Sequence, residues 1–99
     1  MRAQPIKQVN IKATSILDEA QEAVNGRAMA DYGDPKDNFR RWSALCCASG
    51  RTSMANISAE DLCHIMILGK LSRDTNNPKR DNAVDIAGYA EILDLVRGL

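Results

Sequence analysis

The segment "SAEDLCHIMILGKLSR", residues 58–73, sets the tightest limit on the fold. Leu62, Ile65, Met66, Leu68 and Leu71 recur at helical spacing, and Cys63 and Ile67 widen the apolar arc around much of the circumference. A helix that is apolar nearly all round belongs in an interior, so the pattern predicts a central, buried helix. Ser58 is its expected cap, with Asp61 three residues on in the position a capping box requires. Glu60 and Asp61 at its start and Lys70 and Arg73 at its end also complement the helix macrodipole.

Other segments show the same period, and none alternates as a half-buried strand does. In "ATSILDEAQEAVNG", Ile16, Leu17, Ala20, Ala23 and Val24 share one face; Thr14 or Ser15 caps the start, and Asn25-Gly26 reads as the stop. "RAMADYGDP" then reads as a connection. Asp34-Pro35 is a helix start, because Asp caps and the missing N–H of proline costs nothing in the first turn. The helix "KDNFRRWSALCCAS" carries a stripe of Phe39, Trp42, Leu45 or Cys46, and Ala48 or Ser49, and Gly50 ends it. After the polar loop "GRTSMAN" and the central helix comes a last loop, "DTNNPKR". Asn77-Pro78 is expected to begin the final helix, with Ile86, Tyr89, Ala90, Leu93 and Val96 on one stripe and Val84, Ala87 and Gly88 on a narrower one. Short loops between four helices imply an all-α, compact four-helix domain. Residues 1–10, polar with Pro5, read as a flexible N-terminal arm, and residues 11–99 as a single helical domain.

Composition narrows the partners. Thirteen basic and thirteen acidic residues leave a formal net charge of zero, which predicts no bulk nucleic-acid binding and no general attraction to anionic membranes. No apolar run is long enough to span a bilayer, and "MRAQPIKQVN" lacks the apolar stretch of a signal peptide, so an intracellular protein is expected. Three cysteines, Cys46, Cys47 and Cys63, form no disulfide framework, and with His64 alone beside Cys63 a zinc site is not expected. Cys63 and one of the adjacent pair read as small core residues.

Several polar groupings are candidates for chemistry. Asp81 and Asp85 lie one helical turn apart and share a face, an arrangement that can hold a hard divalent cation such as magnesium or simply face water. Gly88 follows one turn later; since glycine costs about 1 kcal/mol in a helix relative to alanine, a neighbouring helix or a ligand is expected to approach there. Lys70 and Arg73 share a face and can hold a phosphate or compensate the macrodipole. In "DYGD", residues 31–34, Tyr32 can stack on a base or pack on the core, and Asn38 sits beside that loop. Tyr89 completes the candidate ligand-binding set of Tyr32, Asn38, Lys70, Arg73, Asp81, Asp85 and Tyr89. Glu60 and His64, one turn apart, can relay protons or belong to an ordinary capped helix start. Asp18, Glu19 and Glu22 give D-E-x-x-E, which resembles the E-E-x-x-E metal signature of helical nucleotide pyrophosphatases.

Taken together, "ILDEAQEAVNG", "DYGDPKDNF", "ISAED", "KLSR" and "VDIAGYAEI" resemble a group of small phage-encoded helical proteins of uncharacterised function, with DYGDP and DIAGY the most specific parts. That resemblance implies a bacteriophage origin and the cytoplasm of a bacterial host. A more distant likeness is to the MazG-like, all-α nucleotide pyrophosphatases, in which an acidic pair on one helix faces an E-x-x-D on another and magnesium activates water against a nucleoside triphosphate. Asp81 and Asp85 match the second element with D-x-x-x-D spacing, and the central helix carries Lys70 and Arg73 where a facing acidic pair is expected; Glu60 and Asp61 stand only at its start. The resemblance implies a MazG-like fold that forms homo-oligomers. It implies a nucleotide partner in a pocket of the last two helices and the DYG loop, with magnesium at Asp81 and Asp85. The nucleotide would be hydrolysed, as by a magnesium-dependent nucleoside triphosphate pyrophosphohydrolase, or sequestered, for instance as a host defence signal. The alternative is a phage anti-defence inhibitor or adaptor that binds a host protein.

Overall fold

The computed structural model describes residues 14–98. The expected arm at residues 1–10 lies outside the described residues. The element order is α1 (Ile16–Glu22), a π-helical segment (Ala23–Arg27), α2 (Ala28–Tyr32), α3 (Pro35–Ala48), a 3₁₀ turn (Thr52–Met54), α4 (Ala59–Asn76) and α5 (Arg80–Arg97). The described residues form an all-α domain with no strand.

Ser15 caps α1 by accepting from the Asp18 N–H at 3.0 Å. The expected stop at Asn25-Gly26 does not occur. Backbone angles stay helical through Glu22, Ala23 and Ala28, and the chain runs on through a wide π turn into α2. The rod ends instead at Gly33, whose φ of 76° is the left-handed conformation that glycine adopts freely and that Gly26 does not take. Packing explains the overrun. Ala20 and Val24 are buried and Ala28 is half-buried. Their four-residue spacing drifts off one face of an α-helix with 3.6 residues per turn, and the i→i+5 turn holds them against α5.

Asp34 caps α3, accepting from the Lys36 N–H at 2.9 Å, with Pro35 in the first turn as expected. Before α4 the full capping box is present: Ser58 Oγ accepts from the Asp61 N–H at 3.0 Å, and Asp61 Oδ2 accepts from the Ser58 N–H at 2.9 Å. The last helix starts at Arg80 rather than at Asn77-Pro78. Its start is held from the preceding helix, where Asp74 Oδ1 accepts from the Lys79 N–H at 3.2 Å and from Asn82 Nδ2 at 3.1 Å. Asn82 is buried, so this bond satisfies a side chain that would otherwise be costly.

The centre of the domain is α5, not α4. Packed against α1, α3 and α4, α5 buries Asn82 in its first turn and then Val84, Gly88, Ile92 and Val96 at one-turn spacing. Helix α4 buries only Leu62 and Cys63, and Ile65, Leu68 and Leu71 are exposed. Its wide apolar arc therefore exceeds what one small domain covers. The core joins Val24, Phe39, Leu62, Cys63, Ile92 and Val96, with Ile57, Ala59, Tyr89 and Leu93 packed on it. Fully buried Cys63 is a core thiol, and burial pushes its pKa up to about 11, with Glu60 adding to the rise. It is an inert packing residue under ordinary conditions.

Candidate functional site

A groove runs between the α1–π–α2 rod and α5. Its wider part has a volume of about 570 Å³ and is lined by Glu19, Glu22, Ala23, Gly26, Asp81, Val84 and Asp85. It continues, through shared Ala23, Val84 and Asp85, into an apolar cleft of about 150 Å³ lined also by Val24, Ala28, Gly88, Tyr89 and Ile92. Small side chains make the groove. Ala23 and Gly26 on the π segment leave open the space that larger residues would fill.

The acidic end brings together two pairs of carboxylates. Glu19 and Glu22 come from α1, within the D-E-x-x-E run, and Asp81 and Asp85 come from α5 at one-turn spacing. Asp18, the first residue of the run, is exposed and does not line the groove. Two of the four carboxylates already have cations. Lys70 Nζ lies 2.7 Å from Asp85 Oδ2 and ties α4 to α5, with the Lys70 side chain only 16% exposed. Arg80 forms an ion pair with the buried Oε2 of Glu19 and donates to the Thr14 carbonyl at 2.6 Å. Glu22 and Asp81 have no ion pair among the described residues. Two carboxylates without an ion pair among the described residues, set in a concave site, favour a cation.

Carboxylate oxygens are the hard ligands that magnesium prefers, but among the described residues no group of three or more Asp, Glu, His or Cys side chains is placed to hold a metal ion. A closed, all-protein cage is thus absent there. Magnesium, however, commonly takes one or two carboxylates together with substrate phosphates and water, and Glu22 and Asp81 fit that role.

The remaining expected residues are placed differently. Tyr89 packs its ring on Phe39, with centroids 6.3 Å apart, while one edge lines the apolar cleft. Burial raises its phenol pKa; Lys70 and Arg73 pull it down, and Asp85 and Tyr32 push it up. Tyr32 and Arg73 are exposed and do not line the groove. Asn38 is linked to Tyr32 by Arg41, whose Nη2 donates to the Tyr32 carbonyl and to Asn38 Oδ1, each at 3.4 Å. The pocket thus lies between the first rod and α5, rather than between α4, α5 and the DYG loop. Lys70 faces Asp85 rather than open solvent. The Glu60–His64 relay does not form: Glu60 Oε1 pairs with Arg97 Nε at 3.4 Å, and His64 is exposed.

Gly88 is buried against a neighbouring helical segment, but the approach leaves room for a Cβ at ordinary contact distance. The approaching group is Val24 of the π segment, whose Cγ2 would lie 3.5 Å from a Cβ at position 88. Glu19 and Glu22 are groove residues outside the expected ligand-binding set. Their signal was the D-E-x-x-E run, which gains meaning only once α1 is known to lie along α5.

The chain is 42% identical over 81 residues to the Gene 55 protein of Mycobacterium phage L5, covering 81% of this chain and 51% of that protein. It is 32% identical over 83 residues to the Gene 55 protein of Mycobacterium phage D29, covering 83% of this chain and 53% of that protein. The chain thus spans about half the length of these relatives. Both relatives support a phage protein. No solved structure matches. No helix among the described residues is long and apolar enough to cross a membrane. The model of the family described as "Domain of unknown function (DUF6378)" matches residues 15–97, from the α1 cap to the end of α5, and the chain belongs to that family.

Proposed function

We propose that the chain binds a nucleotide in the α1–α5 groove, as a phage protein of MazG-like type working in the host cytoplasm. The observation that carries this reading is the facing of Glu19 and Glu22 with Asp81 and Asp85 across one concave cleft that turns apolar at its other end. The phosphates would lie at the acidic end, and the base against Val24, Ala28, Gly88 and Tyr89. Asp81 and Tyr89 are eight residues apart on α5, about 12 Å at the helical rise, a span suited to a sugar and its phosphates. The combined groove falls in the range of small-molecule sites, roughly 300–1,000 Å³.

Bound magnesium would supply charge neutralisation at the phosphates and a more acidic bound water. The chain's own part is distinct. Glu22 and Asp81 would hold the cation, and Lys70 and Arg80 would keep Asp85 and Glu19 fixed and partly neutralised. The apolar cleft would exclude water from the base. Whether the nucleotide is hydrolysed or sequestered depends on a water positioned opposite the phosphates, so turnover and binding are read separately.

The test combines melting temperature and chromatography across nucleoside triphosphates and cyclic nucleotides, with and without magnesium. Binding raises stability by mass action. A magnesium-dependent rise with product formation supports an enzyme, and a rise without product supports sequestration. No shift with any nucleotide overturns the proposal and favours the second reading, a host-protein inhibitor or adaptor. The exposed Leu17 on α1 and Leu45 on α3 favour that reading, as apolar side chains a partner would cover. Self-association is part of the main proposal, because α4 also leaves apolar side chains uncovered.

A further inference from the structure

Helix α4 turns a row of apolar side chains to solvent, with exposed Asp61 and His64 on the same face at its N-terminal end. Ile65 is 50%, Leu68 62% and Leu71 48% exposed. At helical spacing Ser72 and Thr75, both exposed, extend the same face. Contiguous apolar surface of this kind, rimmed by polar residues, marks an interaction site rather than scattered exposure.

A second observation lies on the edge of that row. Gly69 sits in the middle of α4, where glycine weakens a helix. Unlike Gly88, it has nothing near it: a Cβ built there meets no atom within 4 Å. Its backbone is not in the left-handed region either. Neither the turn geometry nor the packing of the single chain accounts for it. A surface that approaches the α4 backbone closely would.

We propose that this surface is α4 of a second copy, packed antiparallel about a two-fold axis at Leu68. The row is self-complementary about that residue. Ile65 lies three positions before it and Leu71 three positions after, so a two-fold places Leu68 against Leu68 and Ile65 against Leu71. Gly69 offers the recess beside each central leucine. The charges agree with this choice. Helix α4 is acidic in its first turn, at Glu60 and Asp61, and basic in its last, at Arg73. Antiparallel pairing sets each acidic end beside the other copy's basic end and opposes the two macrodipoles. A parallel pair would bring like charges together. An isologous interface of this form closes on itself and stops at a dimer. This inference deepens the self-association included above, but it stands on α4 alone and does not depend on nucleotide binding in the groove.

Sedimentation equilibrium of the purified chain, with helicity followed by circular dichroism, tests it. The wild-type chain is expected to be a dimer. Leu68→Glu puts a carboxylate at the axis facing its own copy and is expected to give a monomer with unchanged helicity. Gly69→Gln fills the recess with a good helix former. It is expected to keep or raise helicity while weakening association by roughly tenfold or more. A wild-type monomer at high concentration would overturn the proposal and leave the row to another protein. So would a dimer that both variants leave intact, because its interface would lie elsewhere.

Discussion

Gly88 shows how much one atom decides at the groove. A methyl group at position 88 would stand 3.5 Å from Val24 Cγ2, ordinary van der Waals contact and not a clash. Gly88→Ala is therefore expected to raise stability by up to about 1 kcal/mol, the usual helix gain over glycine, in urea denaturation. It would also narrow the apolar cleft, so any nucleotide affinity should fall while stability rises. A loss of stability would show that the contact is tighter than described. Asp61 gives a pH-dependent counterpart. Backbone and side-chain hydrogen bonds from Ser58 hold its carboxyl below the ordinary aspartate pKa. A depressed folded pKa means that the charged form stabilises the fold above the unfolded value, and that the gain is lost as pH falls through the folded value. Wild type and Asp61→Asn are expected to differ in stability at neutral pH and to converge in acid. A gap that widens in acid would contradict the capping role. The box itself was legible from Ser58 and Asp61 alone, because capping is local chemistry.

Among elements, what the sequence made visible follows the range of the interaction. Caps at Ser15, Asp34 and Ser58 were legible because each is satisfied within three residues. The start of α5 was not, because no side chain caps it and its first turn is held by Asp74 on the preceding helix, across the turn. The stop at Asn25-Gly26 failed for a related reason. Local propensity there is overridden by the packing of Val24 against α5, and the wide π turn is its record. The apolar arc of α4 promised burial, but apolar composition cannot say which chain does the burying. Asp81 and Asp85 were legible as a pair. Their partners Glu19 and Glu22 were visible as a run and not as a facing pair, because only tertiary structure lays α1 along α5. The Lys70–Asp85 bridge belongs to this scale, since it ties α4 to α5 beside the groove. A double-mutant cycle with Lys70→Ala and Asp85→Ala is expected to give a coupling of about 1 kcal/mol, because Asp85 remains partly exposed. Zero coupling would mean that the bridge does not fix the two helices.

At the scale of the whole molecule, one small domain presents two faces of different chemistry. The groove between the first rod and α5 gathers carboxylates, and the outer face of α4 gathers leucine and isoleucine. They share only the axis of the α4–α5 hairpin, so binding and self-association can be changed separately. The central claim is that the groove takes a nucleotide through Glu22 and Asp81, which have no ion pair among the described residues. Titration calorimetry of the chain against magnesium-loaded nucleoside triphosphates, for wild type and for Glu22→Gln with Asp81→Asn, tests it most directly. Both positions are exposed, so the double variant should keep the fold and its circular dichroism. Magnesium-dependent binding heat in the wild type that disappears in the double variant is the predicted result. Equal binding by both proteins, or none by the wild type, would contradict it.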